Sequence, residues 1–168
     1  MRISDNGLEV LKYFESCHLE AYPDPGSADG KPWTIGWGHT GPEVTKGLVI
    51  TQVFADELLK KDLQKFEKEV TSLLTRTPTQ GEFDALVSFA YNCGSDIDAD
   101  IIAEGLGDST LLRKFNANDP TYIGEFGKWV KNAGKVMKGL VRRRAAESYL
   151  AQGKTAKEAI AYALRIAP

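Results

Sequence analysis

The chain has 168 residues, 42% of them apolar and 26% charged, with a formal net charge of −2. This is the balance of a single globular domain over residues 1–168, and it excludes a disordered, collagen-like or coiled-coil chain. It also lacks the global basic bias of a nucleic-acid binder, and no uncharged stretch approaches the roughly 20 residues that a membrane-spanning helix needs.

The N-terminal residues carry recurring charges at Glu9, Lys12 and Glu15 and have neither the apolar core nor the cleavage site of a signal peptide. The protein is therefore expected to begin in a cytoplasm. Cys17 and Cys93 are too few for a disulfide framework and lack metal-ligand spacing, so reduced, buried thiols are expected.

A first helix is predicted from Asp5 or Asn6 to about Cys17 or His18, with Leu8, Leu11 and Phe14 at helical spacing. Residues 19–50, rich in Gly and Pro with short alternating runs, predict a small twisted β-hairpin lobe. From Thr51 to about Leu74, the apolar set Phe54, Leu58, Leu59, Leu63, Phe66, Val70 and Leu73 predicts a long helix, expected to join two lobes. Thr79 with Glu82, and Thr155 with Glu158, are capping-box signatures that open two further helices. Others are predicted near 109–116, 122–132 and 139–152. The fold class is α+β: a small N-terminal β-hairpin lobe joined by the long helix to a larger helical lobe.

At about 100° per residue, Glu15 falls at the edge of the stripe marked by Leu8 and Leu11. Partial burial there suits a carboxyl that donates a proton; the competing reading is a glutamate that reaches solvent or pairs with a distant arginine. In Trp33-Thr34-Ile35-Gly36-Trp37-Gly38-His39-Thr40, alternation places the bulky residues on one face and Thr34, Gly36, Gly38 and Thr40 on the other. Glycines at alternate strand positions point to something approaching the backbone closely, and an extended, hydroxyl-rich polysaccharide suits such a face. Asp24 lies in a turn between Pro23 and Pro25, where its carboxylate is expected to be exposed. A proton-donating Glu and an ionised Asp form the pair that glycoside hydrolysis uses, and Thr34 can orient a water.

The run Phe14-Glu15 through Pro23-Asp24, followed by Trp33 to Gly41, resembles the phage-type lysozymes of glycoside hydrolase family 24. Further blocks agree: Thr51-Gln52 with Asp62-Leu63, Thr79-Gln80 through Gly94, Ser109 to Lys114, and Gly139 to Arg144. The resemblance implies a lysozyme-like fold and an endolysin-type muramidase that cuts the β-1,4 bond between N-acetylmuramic acid and N-acetylglucosamine. It places Glu15 as general acid, with Asp24 and Thr34 handling water. Thr34 follows Asp24 by more residues than in many members, and the extra segment Gly26 to Pro32 reads as a longer hairpin tip that offers Asp29 as a second carboxylate. Gly36, Gly38, Asn92 and Trp129 are implied at the substrate, and Arg142 or Arg143 as a partner holding the charge of Glu15 in check. His39 and Asp62 are implied as a structural ion pair. No cofactor and no metal are implied.

Seven basic residues, Lys128, Lys131, Lys135, Lys138, Arg142, Arg143 and Arg144, fall between Phe126 and Ala146 with no acidic one. A face so charged would attract peptide-stem carboxylates or an anionic envelope surface. Asp96-Ile97-Asp98-Ala99-Asp100 resembles the start of a calcium loop, but Ile101 and Gly107 stand where that loop needs Gly and Glu. The expected partners are peptidoglycan glycan strands and a separate holin-type release factor, with no nucleic acid, for a monomer held in the host cytoplasm until it acts on the wall in the periplasm. From the length of 168 residues, no added wall-binding domain is expected. Two other readings share the scaffold: a non-hydrolytic peptidoglycan-binding protein and a lytic transglycosylase. The intact Glu15, Asp24 and Thr34 favour hydrolysis over both.

Overall fold

The computed structural model describes all 168 residues. The chain forms two compact units, one of Lys12–Lys65 and the other of Met1–Leu11 with Phe66–Pro168. Helices α1 (Asp5–Glu15) and α2 (Gln52–Leu73) each contribute residues to both. No helix is long and apolar enough to cross a membrane.

The smaller unit begins with the end of α1. This helix stops at Glu15, short of the expected Cys17 or His18, because Ser16 adopts a left-handed φ of 61°. Strands β1 (His18–Tyr22), β2 (Thr34–Gly36) and β3 (His39–Thr40) form an antiparallel sheet in the order β1-β2-β3. Thr34 pairs with both Tyr22 and Thr40, and Ile35 pairs with His39. The run 33–40 is therefore not one alternating strand. It reverses over Gly36-Trp37-Gly38, whose glycines take φ of 64° and 96°. The core of this unit is small: Ala21, Ile35 and Val44, with Trp33, Leu48, Ile50 and Leu58 packed against them.

In α2, Ala55, Leu59, Leu63 and Val70 are buried as the periodicity requires, whereas Phe54 is 52% exposed. The larger unit is built around α3 (Gln80–Cys93), whose residues Glu82 to Ala90 are all buried. Its capping box is formed, with Thr79 accepting from the Glu82 N–H. Helices α4 (Thr110–Asn116), α5 (Lys138–Ala151) and α6 (Ala156–Ile166) follow, α6 opening on the second expected capping box at Thr155. The predicted helix over 122–132 is instead a 3-10 helix, Pro120–Lys128, followed by a hairpin of β4 (Lys131–Asn132) and β5 (Lys135–Val136). Gly124 and Gly127 weaken a longer helix, and Ala133-Gly134, both at positive φ, make the turn.

Contacts between α3 and α5 enclose a charged cluster. Glu147 is fully buried, Arg144 is 1% exposed and Arg143 3%. The Ser88 hydroxyl donates to Glu147 Oε2 at 2.6 Å, Arg144 Nη2 donates to the same oxygen at 3.2 Å, and Arg143 Nη2 reaches the Ser88 carbonyl at 3.1 Å. Arg144 Nε lies 2.7 Å from Glu147 Oε1, poorly aligned for a hydrogen bond but strongly attracted. Removing the carboxylate strands two buried guanidinium groups, which costs far more than a surface pair. Glu147→Ala is expected to destabilise the protein by about 3–5 kcal/mol in urea unfolding; a loss below about 1 kcal/mol, the scale of a surface pair, would show that the cluster contributes little.

Candidate active site

Three sequence-predicted residues, Glu15, Asp24 and Thr34, lie in the Lys12–Lys65 unit on consecutive elements. Glu15 is the last residue of α1 and is half-buried. Asp24 sits in the turn after β1, half-buried rather than exposed, with its Oδ1 accepting from the Gly26 N–H at 3.0 Å. Thr34 opens β2 and is half-buried.

Tyr22 connects these positions, although the sequence assigned it no role. It is the cross-strand partner of Thr34, and the charge of Glu15 acts on its phenol. Burial pushes the phenol above its ordinary value, and Glu15 adds to that. The Tyr22 ring also packs on His18, with centroids 4.5 Å apart.

The two candidate carboxylates in the hairpin differ in their surroundings. Asp29 is fully exposed, and its Oδ1 is held within the tip by the Ser27 hydroxyl at 2.6 Å and the Lys31 N–H at 3.0 Å. Those bonds, the Ser27 one first, hold its carboxyl below the ordinary range. Asp24 instead closes the neck of the tip, donating its N–H to the Gly30 carbonyl at 2.9 Å.

The glycines expected on a bare binding face do not both lie open. Gly36 is buried, and a Cβ there would rest 3.5 Å from the Ala55 side chain, so α2 already occupies that approach. Gly38, in the turn, remains partly accessible. Trp37 is braced by a 2.8 Å bond from its Nε1 to Asp56, with Lys12 Nζ 5.1 Å from its ring centroid.

The remaining candidates belong to the larger unit. Asn92 is exposed at the end of α3. Trp129 is half-buried and packs edge-on against Phe89, at 5.2 Å between centroids. Arg142 donates from Nε to the Ala167 carbonyl at 2.6 Å and pins the end of α6. Arg143 sits in the buried Ser88–Glu147 cluster. The seven-residue basic stretch thus turns its arginines inward, and its exposed cations are the lysines at 128, 131, 135 and 138, with Lys128 bridged to Glu125 at 2.8 Å. Both cysteines are unpaired thiols; burial pushes Cys93 above its ordinary value despite Arg144 beside it.

Asp96, Asp98 and Asp108 bring one carboxylate oxygen each within 4.8 Å of the others, as do Asp98, Asp100 and Glu104. Asp96 Oδ2 is already bonded to the N–H groups of Glu104 and Asp108. These acids therefore brace a loop of the larger unit.

His39 shows how the hairpin is held. Its Nδ1 lies 2.6 Å from Asp62 Oδ2 and its Nε2 2.6 Å from Glu43 Oε1. The Glu43 contact, four residues on, was readable from spacing but was not singled out. Burial pulls the imidazole down, but the bonds to Glu43 and Asp62 outweigh it and hold its pKa above the ordinary value. Glu43 is held below its own, chiefly by the bond to His39.

The family model described as phage lysozyme matches residues 12–147. The endolysin of Bacillus phage B103 is 42% identical over 151 residues, covering 89% of this chain and 54% of that protein. The endolysin of Salmonella phage P22 is 39% identical over 155 residues, covering 89% of this chain and 97% of that one. Among solved structures, the muramidase domain of SpmX from Asticaccaulis excentricus superposes with a TM-score of 0.75 at 34% identity, covering 89% of this chain and 96% of that one. The fold is lysozyme-like. The chain spans about half the length of the Bacillus and Lactococcus phage endolysins it matches.

Because the folded pKa of His39 is raised, its protonated form stabilises the fold fully below the unfolded value of about 6.5, and that contribution is lost as pH rises through the folded pKa. The depressed Glu43 works at the other end: its contribution is present above about pH 4.3 and lost as pH falls through its folded value. The gap in melting temperature between wild type and His39→Asn is therefore expected to be widest between about pH 4.5 and 6.5 and to narrow toward pH 9. A gap constant over that range would mean that His39 does not carry the charge.

Proposed function

We propose that this chain, which belongs to the phage lysozyme family, is a muramidase that hydrolyses the β-1,4 bond between N-acetylmuramic acid and N-acetylglucosamine in peptidoglycan. The observation that carries this reading is that Glu15, Asp24 and Thr34 all belong to one small unit, in which Thr34 is paired across the sheet with Tyr22, two residues before Asp24. Glu15 donates a proton to the glycosidic oxygen as positive charge develops on the sugar. Asp24 faces that charge, and Thr34 holds the water that completes the cleavage. Asp24 rather than Asp29 fills the role, because both contacts of the Asp29 carboxylate lie within the tip it holds together.

Gly38, Asn92 and Trp129 are the further residues we assign to glycan contact. The exposed lysines at 131, 135 and 138 on and beside the β4–β5 hairpin draw anionic stems or envelope surface toward the enzyme. The protein acts on the cell wall, after release by a holin-type partner.

Purified peptidoglycan digested with the protein is expected to yield muropeptides ending in reducing N-acetylmuramic acid, read by mass spectrometry. Glu15→Gln should lower the rate by about a hundred- to ten-thousandfold, and Asp24→Asn should reduce it severely while Asp29→Asn leaves it near wild type. Anhydro ends in place of reducing ends would overturn hydrolysis, and loss of activity confined to Asp29→Asn would reverse the carboxylate assignment.

A further inference from the structure

We propose that a cleft on the smaller unit, lined by none of Glu15, Asp24 and Thr34, binds the carboxylate-bearing peptide stems of peptidoglycan. The identity of the ligand rests on the muramidase reading; the site rests on the residues that build it.

The cleft measures about 680 Å³ and is bounded by Lys31, Pro32, Trp33, Pro42, Thr45 and Lys46. Sites for small ligands fall in the range of about 300–1,000 Å³. Two loops supply its walls: Lys31 and Pro32 end the long hairpin tip ahead of β2, and Pro42, Thr45 and Lys46 follow β3. Trp33 is the fixed element between them. It packs against the Ala21, Ile35 and Val44 core, yet it is only half-buried and lines the cleft. Beside it Gly30, at a φ of 75°, carries no side chain; a Cβ there would crowd the indole Nε1 at 3.2 Å.

The charge around this cleft is one-sided. Lys31 and Lys46 are exposed, and neither is held in an ion pair. The nearest acids in sequence are engaged elsewhere. Asp29 accepts from the Ser27 hydroxyl and the Lys31 N–H, feeling the Lys31 charge without bridging to it, and Glu43 contacts His39 at 2.6 Å. A fitting ligand must therefore bring negative charge for two ammonium groups and an apolar body for a tryptophan and two prolines. In peptidoglycan the hydroxyl and acetamido groups of the sugars are uncharged. The peptide stems carry free carboxylates beside alanine methyls, and their amide groups suit the Thr45 hydroxyl and the indole N–H.

Titrating the nitrogen-15-labelled protein with a free-acid stem tetrapeptide (L-Ala-γ-D-Glu-diaminopimelate-D-Ala) tests the site without glycan or cleavage. The indole N–H resonance of Trp33, identified by its loss in Trp33→Phe, is expected to shift to saturation while those of Trp37 and Trp129 stay in place. The same peptide with its carboxylates amidated should bind about tenfold more weakly or worse. Lys31→Glu/Lys46→Glu should weaken the free acid to a similar degree and leave the melting temperature unchanged, because both side chains are exposed. On intact peptidoglycan this double variant should raise KM without lowering kcat, and on glycan strands stripped of their stems it should match the wild type. An unmoved Trp33 resonance, equal binding of the amidated peptide, or full binding by the double variant would each overturn the proposal. A protein that binds the peptide here but releases no muropeptides sinks the muramidase reading alone, and one that releases them with Trp33 unmoved sinks the site alone.

Discussion

The antiparallel pairing of β1 with β2 is the constraint from which the rest of the site follows. Glu15 ends a helix, Asp24 occupies a turn and Thr34 begins a strand, so nothing in local sequence brings them together. The ladder returns Thr34 to a place opposite Tyr22, two residues before Asp24. Beyond the last strand pair, the Asp24 N–H bonds the Gly30 carbonyl and the Ser27 N–H bonds the Asp24 carbonyl. The longer tip is thereby closed off at its neck. Extra residues in such a loop cost little closure entropy.

Burial within the hairpin itself is modest. Ala21, Ile35 and Val44 are its buried apolar cluster, and a fully buried Val or Ile contributes only about 1.5–3 kcal/mol. Polar ties carry the remainder: His39 to Asp62 and Glu43, and Trp37 to Asp56, with Gln52 bonding the same Asp56 oxygen at 3.1 Å. Most of these ties end on α2, which gives the hairpin a rigid partner. A site built from a strand end and a turn needs that rigidity, because rate depends steeply on the placement of the reacting groups.

Legibility in the sequence followed the range of the interaction. Both capping boxes and the long helix were readable because each depends on neighbours a few residues apart, whereas the reversal near Gly36–Gly38 was read as one alternating strand. Glu15, Asp24 and Thr34 were singled out by their motif and its spacing, and all three belong to the Lys12–Lys65 unit. The end of α1 was not, since a serine at positive φ leaves no mark in composition. Nor was the helix expected over 122–132, where apolar spacing at Tyr122, Ile123 and Phe126 serves a 3-10 helix equally well. Gly36 was misread for a related reason. A glycine in a strand signals close approach, but the sequence does not say by what, and here it is Ala55 of α2.

The basic stretch carries the same lesson into electrostatics. Counting charges from Phe126 to Ala146 treats each cation as solvated, whereas helical geometry sorts them. On α5, Arg143 and Arg144 project into the larger unit and meet Glu147 at spacings of four and three residues, with Ser88 of α3 completing the cluster. Arg142, one position earlier, is tied to the last turn of the chain. The field that reaches solvent comes from lysines, flexible and well hydrated, carried around a short exposed hairpin. Such charges act over about a Debye length, some 8 Å at physiological ionic strength. They exert a diffuse attraction on anions and impose no fixed geometry on them. A fixed arrangement is found instead on the sheet and helix ends of the smaller unit, where polar ties such as His39 to Asp62 set the positions of the side chains.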